Sequence, residues 1–273
     1  MASSLAHVTD IVHGMWPLSG AESWDAPGLL AGDPSAEVTS IHLAVDAVLD
    51  TADEAVQNGA QLLLVHHPLL MRGVTSVAED RYKGAVVAKL IRGGCALIAA
   101  HTNADIVADG TSAVLAARLG LQNARPIVPS TGNPEEGLGR VVALPSSITL
   151  GELARGLQGF LPATAQGVKG AGDFHSKVTR VALCAGAGDS LLDHPEVASA
   201  DVYITSDLRH HPASEARENS RAAGRDLALL DISHWAAEWM WLDVAADQLR
   251  AALPGVTVSV SELRTDPWDF ALV

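Results

Sequence analysis

The sequence contains few cysteines, few aromatic residues and no long apolar segment. Only two of its 273 residues are cysteines, and Cys95 and Cys184 form no C-x-x-C motif. This usage argues against a disulfide framework or a thiolate zinc site. The apolar runs have the length of strands, well below the roughly 18 residues that cross a membrane. The first residues show no basic segment followed by an apolar one, so we expect no signal peptide and a cytoplasmic protein that does not enter a membrane.

Basic residues are scarce as well, with 18 lysines and arginines against 32 acidic residues and a formal net charge of −14. Nucleic acid is therefore an unlikely partner, because phosphate-backbone binding begins with a basic surface. One segment gathers Arg209, Arg217, Arg221 and Arg225, a spacing that more often marks a solvated helix face than a binding site. A small phosphorylated ligand remains compatible with this charge.

Apolar runs alternate with helical patterns along the chain, which indicates an α/β protein with a parallel sheet. A Thr51 to Glu54 capping box predicts a helix from 51 to about 59. The turn-rich stretch 129–137 is the candidate junction between lobes, and the glycine-rich stretch 167–172 is predicted to be a connection. The remaining predicted helices are 82–92, 107–119, 150–160 and 236–253, and the predicted strands are 41–46, 61–65, 96–100, 140–144, 178–184, 201–205, 227–231 and 256–260.

Histidines and acidic residues follow several of these strands. His66 and His67 end one strand, where Pro68 prevents further pairing. Asp105 ends a polar turn after the next strand, and His234 and Glu238 share a helix face after a third. Each group alone has an ordinary explanation: a surface pair, a helix N-cap or a chance spacing. Because strand ends of a parallel sheet converge at one edge, their joint occurrence predicts one site.

This donor set contains three imidazoles and two carboxylates, which suit zinc, iron, manganese or nickel better than calcium. Adjacent histidines on an extended strand point in different directions, so His66 and His67 could each face one of two ions. Five donors for two ions leave open positions for water. A water held between two ions roughly 3.5–4 Å apart becomes a hydroxide nucleophile near neutral pH. The donors therefore favour a hydrolytic reaction.

A second group of polar residues follows the strand that ends at Thr205. Asp207 and His210 could act as general acid or base, and Arg209 could contact an anion. An equally good alternative is that they support and orient a metal-binding histidine. The sequence Ala-Gly-Ala-Gly at 185–188 lacks a complete phosphate-cradling motif and is better explained as a tight turn.

In these motifs the chain resembles the NIF-three-like family, whose members are labelled GTP cyclohydrolase 1 type 2 homologues. The resemblance covers nearly the whole chain. Two departures are Ser206 and Ser233, where the family usually has glycine. A changed local backbone is expected if those glycines sit at positive φ. The motifs, in order, are residues 24–32, the His-His-Pro turn at 66–68, the His-Thr-Asn-x-Asp turn at 101–105, residues 137–140, the turn at 185–188, Thr-x-Asp-x-x-His-His at 205–211 and Asp-x-x-His-x-x-x-Glu at 231–238.

The resemblance implies a fold of two interlocked α/β lobes, 1–126 with 235–273 and 127–234, with a dimetal site between them. It also implies a homo-oligomer, a toroidal hexamer. By the same resemblance Glu238 is the bridging ligand. The implied function is metal-dependent hydrolysis of a small nucleotide-like or phosphorylated compound, and the alternative is a metal-stabilised ring that binds or regulates without turnover. The implied ligands of the two divalent ions are His66, His67, Asp105, His234 and Glu238.

Overall fold

The computed structural model describes residues 3–272 and is a mixed α/β protein. Its helices are α1 Leu5–Met15, α2 Leu49–Gln57, α3 Tyr82–Arg92, α4 Thr102–Asp105, α5 Thr111–Arg118, α6 Leu150–Phe160, α7 Pro195–Ala198, α8 His210–Ala222 and α9 His234–Ala252. Its strands are β1 Ser3–Ser4, β2 Gly28–Ala31, β3 Glu37–Val38, β4 Ser40–Asp46, β5 Leu62–His67, β6 Ala96–Ala99, β7 Val128–Pro129, β8 Gly137–Leu138, β9 Arg140–Thr149, β10 Val168–Ala171, β11 Lys177–Ala187, β12 Val202–Ser206, β13 Ala228–Ile232 and β14 Thr257–Val260.

The chain divides into two compact units. The first contains residues up to Ala104 and Trp241–Thr265, and the second contains Asp105–Met240 and the residues from Asp266 onward. The predicted lobes placed 105–126, 235–240 and the residues from 266 onward with the first unit. In the structure these segments belong to the second unit, where α5 packs on β11 and β9. Among the described residues, no helix combines the length and apolar character that crossing a membrane requires.

The first unit is built on a five-stranded sheet in the order β14-β4-β5-β6-β2. Its first four strands are parallel and β2 pairs antiparallel with β6. Alternate residues of β5, Leu63 and Val65, pack against buried alanines of α2 and against Val86 and Leu90 of α3. This period of two follows from strand geometry and gives the sheet one apolar face under the two helices.

The second unit repeats this architecture with the strand order β10-β13-β12-β11-β9. The three central strands are parallel, and the edge strands β10 and β9 run antiparallel to their neighbours. Buried residues of β11, β12 and β13, among them Ala182, Tyr203 and Leu229, form one apolar cluster with Ala216 of α8. Each unit therefore presents parallel strands whose carboxyl ends lie at one edge of its sheet.

The predicted helices 82–92 and 150–160 are confirmed with the same bounds. The predicted connection 167–172 was wrong, because Val168–Ala171 pairs with β13 as an edge strand. The N-terminus assigned to Thr51 was also wrong. The helix begins at Leu49, and the Thr51 hydroxyl accepts a hydrogen bond from the Val48 amide inside the first turn. The hydrophobic patterns therefore predicted which helices and strands exist, while local hydrogen bonds determine the residues at which they begin and end.

Candidate metal centre

Three histidines of the first unit lie at the carboxyl ends of neighbouring parallel strands. His66 and His67 are the last residues of β5, and His101 follows the end of β6. The two strands pair in parallel, with Val65 opposite Ala99. Because their ends meet at one edge, ring nitrogens of the three histidines all lie within 4.8 Å of one another. We call this set the triple-histidine group.

His66 is the buried member of this group. Its Nδ1 lies 2.8 Å from the carbonyl oxygen of Ala100, the residue after β6. A carbonyl can only accept, so Nδ1 carries the proton and the Nε2 lone pair is the ligating one. The indole of Trp241 packs at 5.5 Å from the His66 ring and contacts Trp16 at 5.1 Å. These rings restrict the orientation of the imidazole.

His67 and His101 are each oriented by a carboxylate. The Nδ1 of His67 donates to Asp46 Oδ1 at 2.7 Å, and the Nδ1 of His101 donates to Asp25 Oδ1 at 2.8 Å. Asp46, at the end of β4, also accepts a hydrogen bond from the Thr265 hydroxyl. A carboxylate behind an imidazole fixes its tautomer and raises its basicity as a metal ligand.

Asp25 is held in its charged form. Its side chain is fully buried, which by itself raises a carboxyl pKa. Hydrogen bonds from His101 and from the hydroxyl and amide of Thr102 outweigh burial and hold the pKa of Asp25 far below its usual value. The charge on Asp25 therefore persists at any pH at which histidine could bind a metal.

The two adjacent histidine rings lie closer together than strand alternation predicts. Their centroids are 5.0 Å apart, and each ring is also within 5.5 Å of the His101 ring. The structure therefore brings His66 and His67 together in one group with His101. That each faces one of two ions stays a prediction.

The second unit contributes an imidazole and a carboxylate one helical turn apart. His234 begins α9 directly after β13, and its Nε2 lies 2.9 Å from Glu238 Oε1. Glu238 is 4% exposed at its side chain, so its charge is poorly hydrated. We call these residues the His-Glu pair.

Two carboxylates determine the protonation of His234. Burial opposes a charge on this imidazole, but Glu238 at Nε2 and Asp207 at Nδ1 outweigh it and hold the pKa of His234 well above its usual value. The Nδ1 donates to Asp207 Oδ2 at 2.7 Å. A divalent ion can replace the Nε2 proton between His234 and Glu238 without a change in the Asp207 contact.

Asp207 follows β12 with a positive φ of 57°, a conformation that asparagine and aspartate tolerate better than most residues. Among the described non-glycine residues, only Asn123 shares a positive φ. Ser206 and Ser233 therefore have ordinary backbone conformations that do not require glycine. Ser233 accepts a hydrogen bond from the Ala236 amide at the start of α9 and donates to Asp266 at 2.5 Å.

Gly186 lies against the His-Glu pair. It has a φ of +74°, and a Cβ atom built on it would lie 2.4 Å from Glu238 Oε1 and 3.4 Å from His234 Nε2. The Ala-Gly-Ala-Gly stretch therefore forms the end of β11 and brings bare backbone against the two donors, instead of cradling a phosphate. A glycine at this position keeps the space beside the donors open.

The other predicted site residues lie in the second unit. Asp105 ends α4 and accepts a hydrogen bond from the Thr111 hydroxyl at 2.5 Å. His210 begins α8, is exposed and packs edge-on against His211 at 5.1 Å. Asp207 touches His234, as the alternative of an orienting role predicts.

Sequence reasoning missed His101, Asp25 and Asp46. His101 opens the same polar turn as Asp105 and directly follows a strand, so its position was a signal that could have identified it. Asp25 lies in the motif 24–32 and Asp46 ends the predicted strand 41–46, but neither signal indicates which histidine the carboxylate contacts. They lie 76 and 21 positions from the histidines that they orient, and only the fold brings them together.

Histidine and glutamate groups in this structure could hold a metal ion. Each of the four histidines directs Nδ1 to an oxygen, a carbonyl for His66 and a carboxylate for the others. This arrangement is typical of metal-ligating histidines that bind through Nε2. The donors present therefore fit a divalent transition-metal ion or zinc, and they do not fit calcium, which prefers oxygen ligands.

The fold and these donors define an α/β protein with histidine and carboxylate groups suited to a metal ion. Comparison with known families identifies it further. The profile described as Duf34/NIF3 (NGG1p interacting factor 3) matches residues 3–267, and the chain belongs to this family.

Several similar proteins carry the name GTP cyclohydrolase 1 type 2 homolog. One from Streptomyces coelicolor is 47% identical over 270 residues, covering 97% of this chain and 93% of that protein. One from Mycobacterium leprae is 33% identical, covering 98% and 96%. Among solved structures, Staphylococcus aureus hypothetical protein SA1388 has a TM-score of 0.85 at 26% identity, and the Bacillus cereus protein related to NIF3 has 0.89 at 22% identity. Each covers 98% of this chain and is itself covered to 99%.

We predict that Gly186→Ala weakens metal binding by roughly tenfold or more, as loss of a close supporting contact does. The new methyl group would collide with the buried Glu238 carboxylate in a strained backbone conformation. Gly159→Ala is the control, because nothing lies within 4 Å of a Cβ at this exposed helical position. Titration calorimetry with Zn²⁺ or Mn²⁺ measures both variants, and equal affinity for Gly186→Ala and wild type would contradict the role of this glycine.

We also predict a pH-dependent loss of stability for Asp25→Asn. The pKa of Asp25 is lowered by folding, so its stabilisation is present above the unfolded value of roughly 3.9 and is lost as the pH falls toward the folded value. At pH 7 the variant should lose about 1–3 kcal/mol of unfolding free energy, and the difference should shrink below about pH 4. Urea denaturation measures it, with the exposed Asp243→Asn as control. A difference independent of pH would contradict the charged role of Asp25.

Proposed function

We propose that this protein is a metal-dependent hydrolase that binds two divalent ions and acts on a small nucleotide-like or phosphorylated compound. The observation that carries the proposal is the shared orientation of four histidines, each with Nδ1 bonded to an oxygen. Each of these hydrogen bonds restricts the rotation of an imidazole ring. They are typical of histidines that present Nε2 to a metal ion. The proposed ligands are His66, His67, Asp105, His234 and Glu238, with Glu238 bridging.

His101 is a further proposed donor or a direct neighbour of the ions. Its ring nitrogen belongs to the triple-histidine group, and Asp25 orients it as Asp46 orients His67. Because its donors are imidazoles and carboxylates, the site would accept zinc, iron, manganese or nickel. When bound, such ions act as Lewis acids and lower the pKa of coordinated water toward neutrality.

The protein's own side chains have distinct tasks in this proposal. Asp207 holds the proton on His234 Nδ1, so the imidazole keeps its Nε2 toward Glu238. The Asp207 side chain is 56% exposed, so it can also exchange protons with solvent and substrate. His210, exposed at the start of α8, would assist proton transfer at the edge of the site.

The relatives' name suggests GTP as one compound to test. A panel that contains GTP, phosphoester and cyclic-amide substrates tests this suggestion. The rival function is a metal-stabilised protein that binds a ligand without turning it over. Turnover measured beside metal content separates these two functions.

We predict that Glu238→Gln reduces bound metal and abolishes hydrolysis. The substitution keeps the shape but removes the buried charge beside His234 Nε2. Metal content is measured by mass spectrometry after dialysis, and turnover is measured on GTP, phosphoester and cyclic-amide substrates. The exposed Glu135→Gln is the matched control and should leave both quantities unchanged.

Three outcomes are informative. Parallel loss of metal and turnover supports the hydrolase. Turnover that survives loss of metal contradicts it. Metal binding without turnover of any substrate by the wild type contradicts the hydrolase and supports the rival binding function.

We further propose that the chain self-associates, as a hexamer. Three large apolar side chains of the C-terminal segment are exposed, Trp268 at 62%, Phe270 at 77% and Leu272 at 90%. Contiguous exposed apolar groups commonly mark a protein interface. Light scattering should give about six times the chain mass of 28.4 kDa. A mass equal to one chain would contradict self-association.

A further inference from the structure

A cavity lined by several basic side chains lies within the second unit. Its volume is about 330 Å³, and it lies between α8 and the strands β10 and β13. This volume is near the lower end of the roughly 300–1,000 Å³ of small-molecule sites. We propose that this cavity binds the phosphoryl group of a small phosphorylated substrate. The proposal deepens the function proposed above and rests on it. The polar lining residues are Lys169, Arg209, His210, Ser214, Arg217 and Asp231.

The charge of the cavity differs from that of the chain. The protein carries a formal charge of −14, yet three cationic side chains line this cavity and Asp231 is its one acidic lining residue among those described. Asp231 is already paired with Lys169 at 2.7 Å and is also contacted by Gln166. Arg209 pairs with Asp189, which does not line the cavity. The lining itself therefore contains three basic side chains and one acidic one, while the acids that pair with Arg209 and Arg217 lie outside it.

Arg217 is the most informative of these residues. Its side chain is mostly buried, and its Nε atom has no hydrogen-bond partner among the described residues. Its ion pair with Asp226 is 3.7 Å long, beyond hydrogen-bond distance. A buried guanidinium N–H without an acceptor costs free energy. Arg217 also lines the cavity, and the fork of donors on arginine matches a phosphoryl group well.

The first turn of α8 adds donors to the same cavity. Leu208, Arg209, His210, Ala213 and Ser214 line it, so the N-terminal end of a 13-residue helix faces this space. The N-cap residue Arg209 makes no side-chain capping bond, and the first turn contains no acidic residue. Backbone N–H groups at such a helix end favour an oxyanion. This turn strengthens the site that the three cationic side chains define.

Two lining residues of the cavity are close in sequence to residues of the His-Glu pair and its neighbour Asp207. Leu208 follows Asp207, whose carboxylate holds His234 at 2.7 Å. Asp231, another lining residue, lies three residues before His234 on the strand that leads into α9. A phosphoryl group in the cavity would therefore anchor a compound whose remaining atoms extend toward His234. This assigns the cavity a binding and specificity role that is separate from metal ligation.

The test measures binding of inorganic phosphate by titration calorimetry to the full-length protein, both metal-loaded and after treatment with a chelator. Arg217→Gln should weaken phosphate binding by roughly tenfold or more, as loss of a charged hydrogen-bond donor does. Arg221→Gln is the matched control. Arg221 lies on the same helix and faces the same acid, Asp226, at 3.6 Å, but it does not line the cavity. The control should bind phosphate within about twofold of wild type, because a surface ion pair contributes little.

A second variant keeps the test decisive if Arg217→Gln folds poorly. Lys169 is 58% exposed, so Lys169→Gln should fold normally and still weaken phosphate binding. Unchanged phosphate affinity in the folded variants would overturn the proposal. Acetate binding as tight as phosphate binding would also overturn it, because it would indicate a carboxylate site. Phosphate binding that requires the metals would overturn it as well. Phosphate binding to the chelator-treated protein, lost in Arg217→Gln, supports the cavity even if the wild type hydrolyses nothing, so the two proposals can fail separately.

Discussion

The hydrogen bonds from histidine Nδ1 atoms to oxygen acceptors are the constraint on which the candidate metal centre depends. Without the Ala100 carbonyl and the carboxylates of Asp46, Asp25 and Asp207, each imidazole could rotate or exchange tautomers. With them, the ligand atom of each ring is chosen before any ion arrives. A preorganised donor loses less freedom on binding, which raises affinity.

The parallel order of strands in each sheet makes these hydrogen bonds possible. In the first unit, β4, β5 and β6 are adjacent and parallel, so Asp46, His67 and the Ala100 carbonyl all emerge at one edge. In the second unit, Gly186, Asp207 and His234 lie at or just after the ends of the adjacent parallel strands β11, β12 and β13. The apolar faces under the helices fix the strand register. A slip of one residue would turn these side chains to the opposite face.

Much of the fold was predictable because it depends on local pattern. Helices 82–92 and 150–160 have continuous apolar periodicity and clear ends, and both were correctly bounded. Strand β10 was missed because Val168–Ala171 is a short, glycine-containing edge strand that depends on pairing with β13 instead of on its own propensity. The strand ends that carry His66, His67 and His234 were predicted for the same reason as the strands themselves.

The remaining features of the site depend on contacts that no local pattern encodes. Asp25 reaches His101 across 76 positions, and the close approach of Gly186 to Glu238 is visible only when both strand and helix are placed. The sequence pattern favoured a solvated helix face for the arginines after 208. Arg209 is largely exposed as predicted, whereas Arg217 is mostly buried and lines a cavity. Arg221 fits the solvated explanation, since it pairs on the surface with Glu218.

Anomalous scattering from crystals of the metal-loaded protein tests the central claim most directly. The account predicts anomalous peaks at ligand distance, roughly 2.0–2.1 Å for zinc, from the Nε2 atoms of the oriented histidines, with every Nδ1 still bonded to its oxygen. Peaks bound through Nδ1, or metal-loaded crystals with no anomalous peak at these histidines, would contradict it.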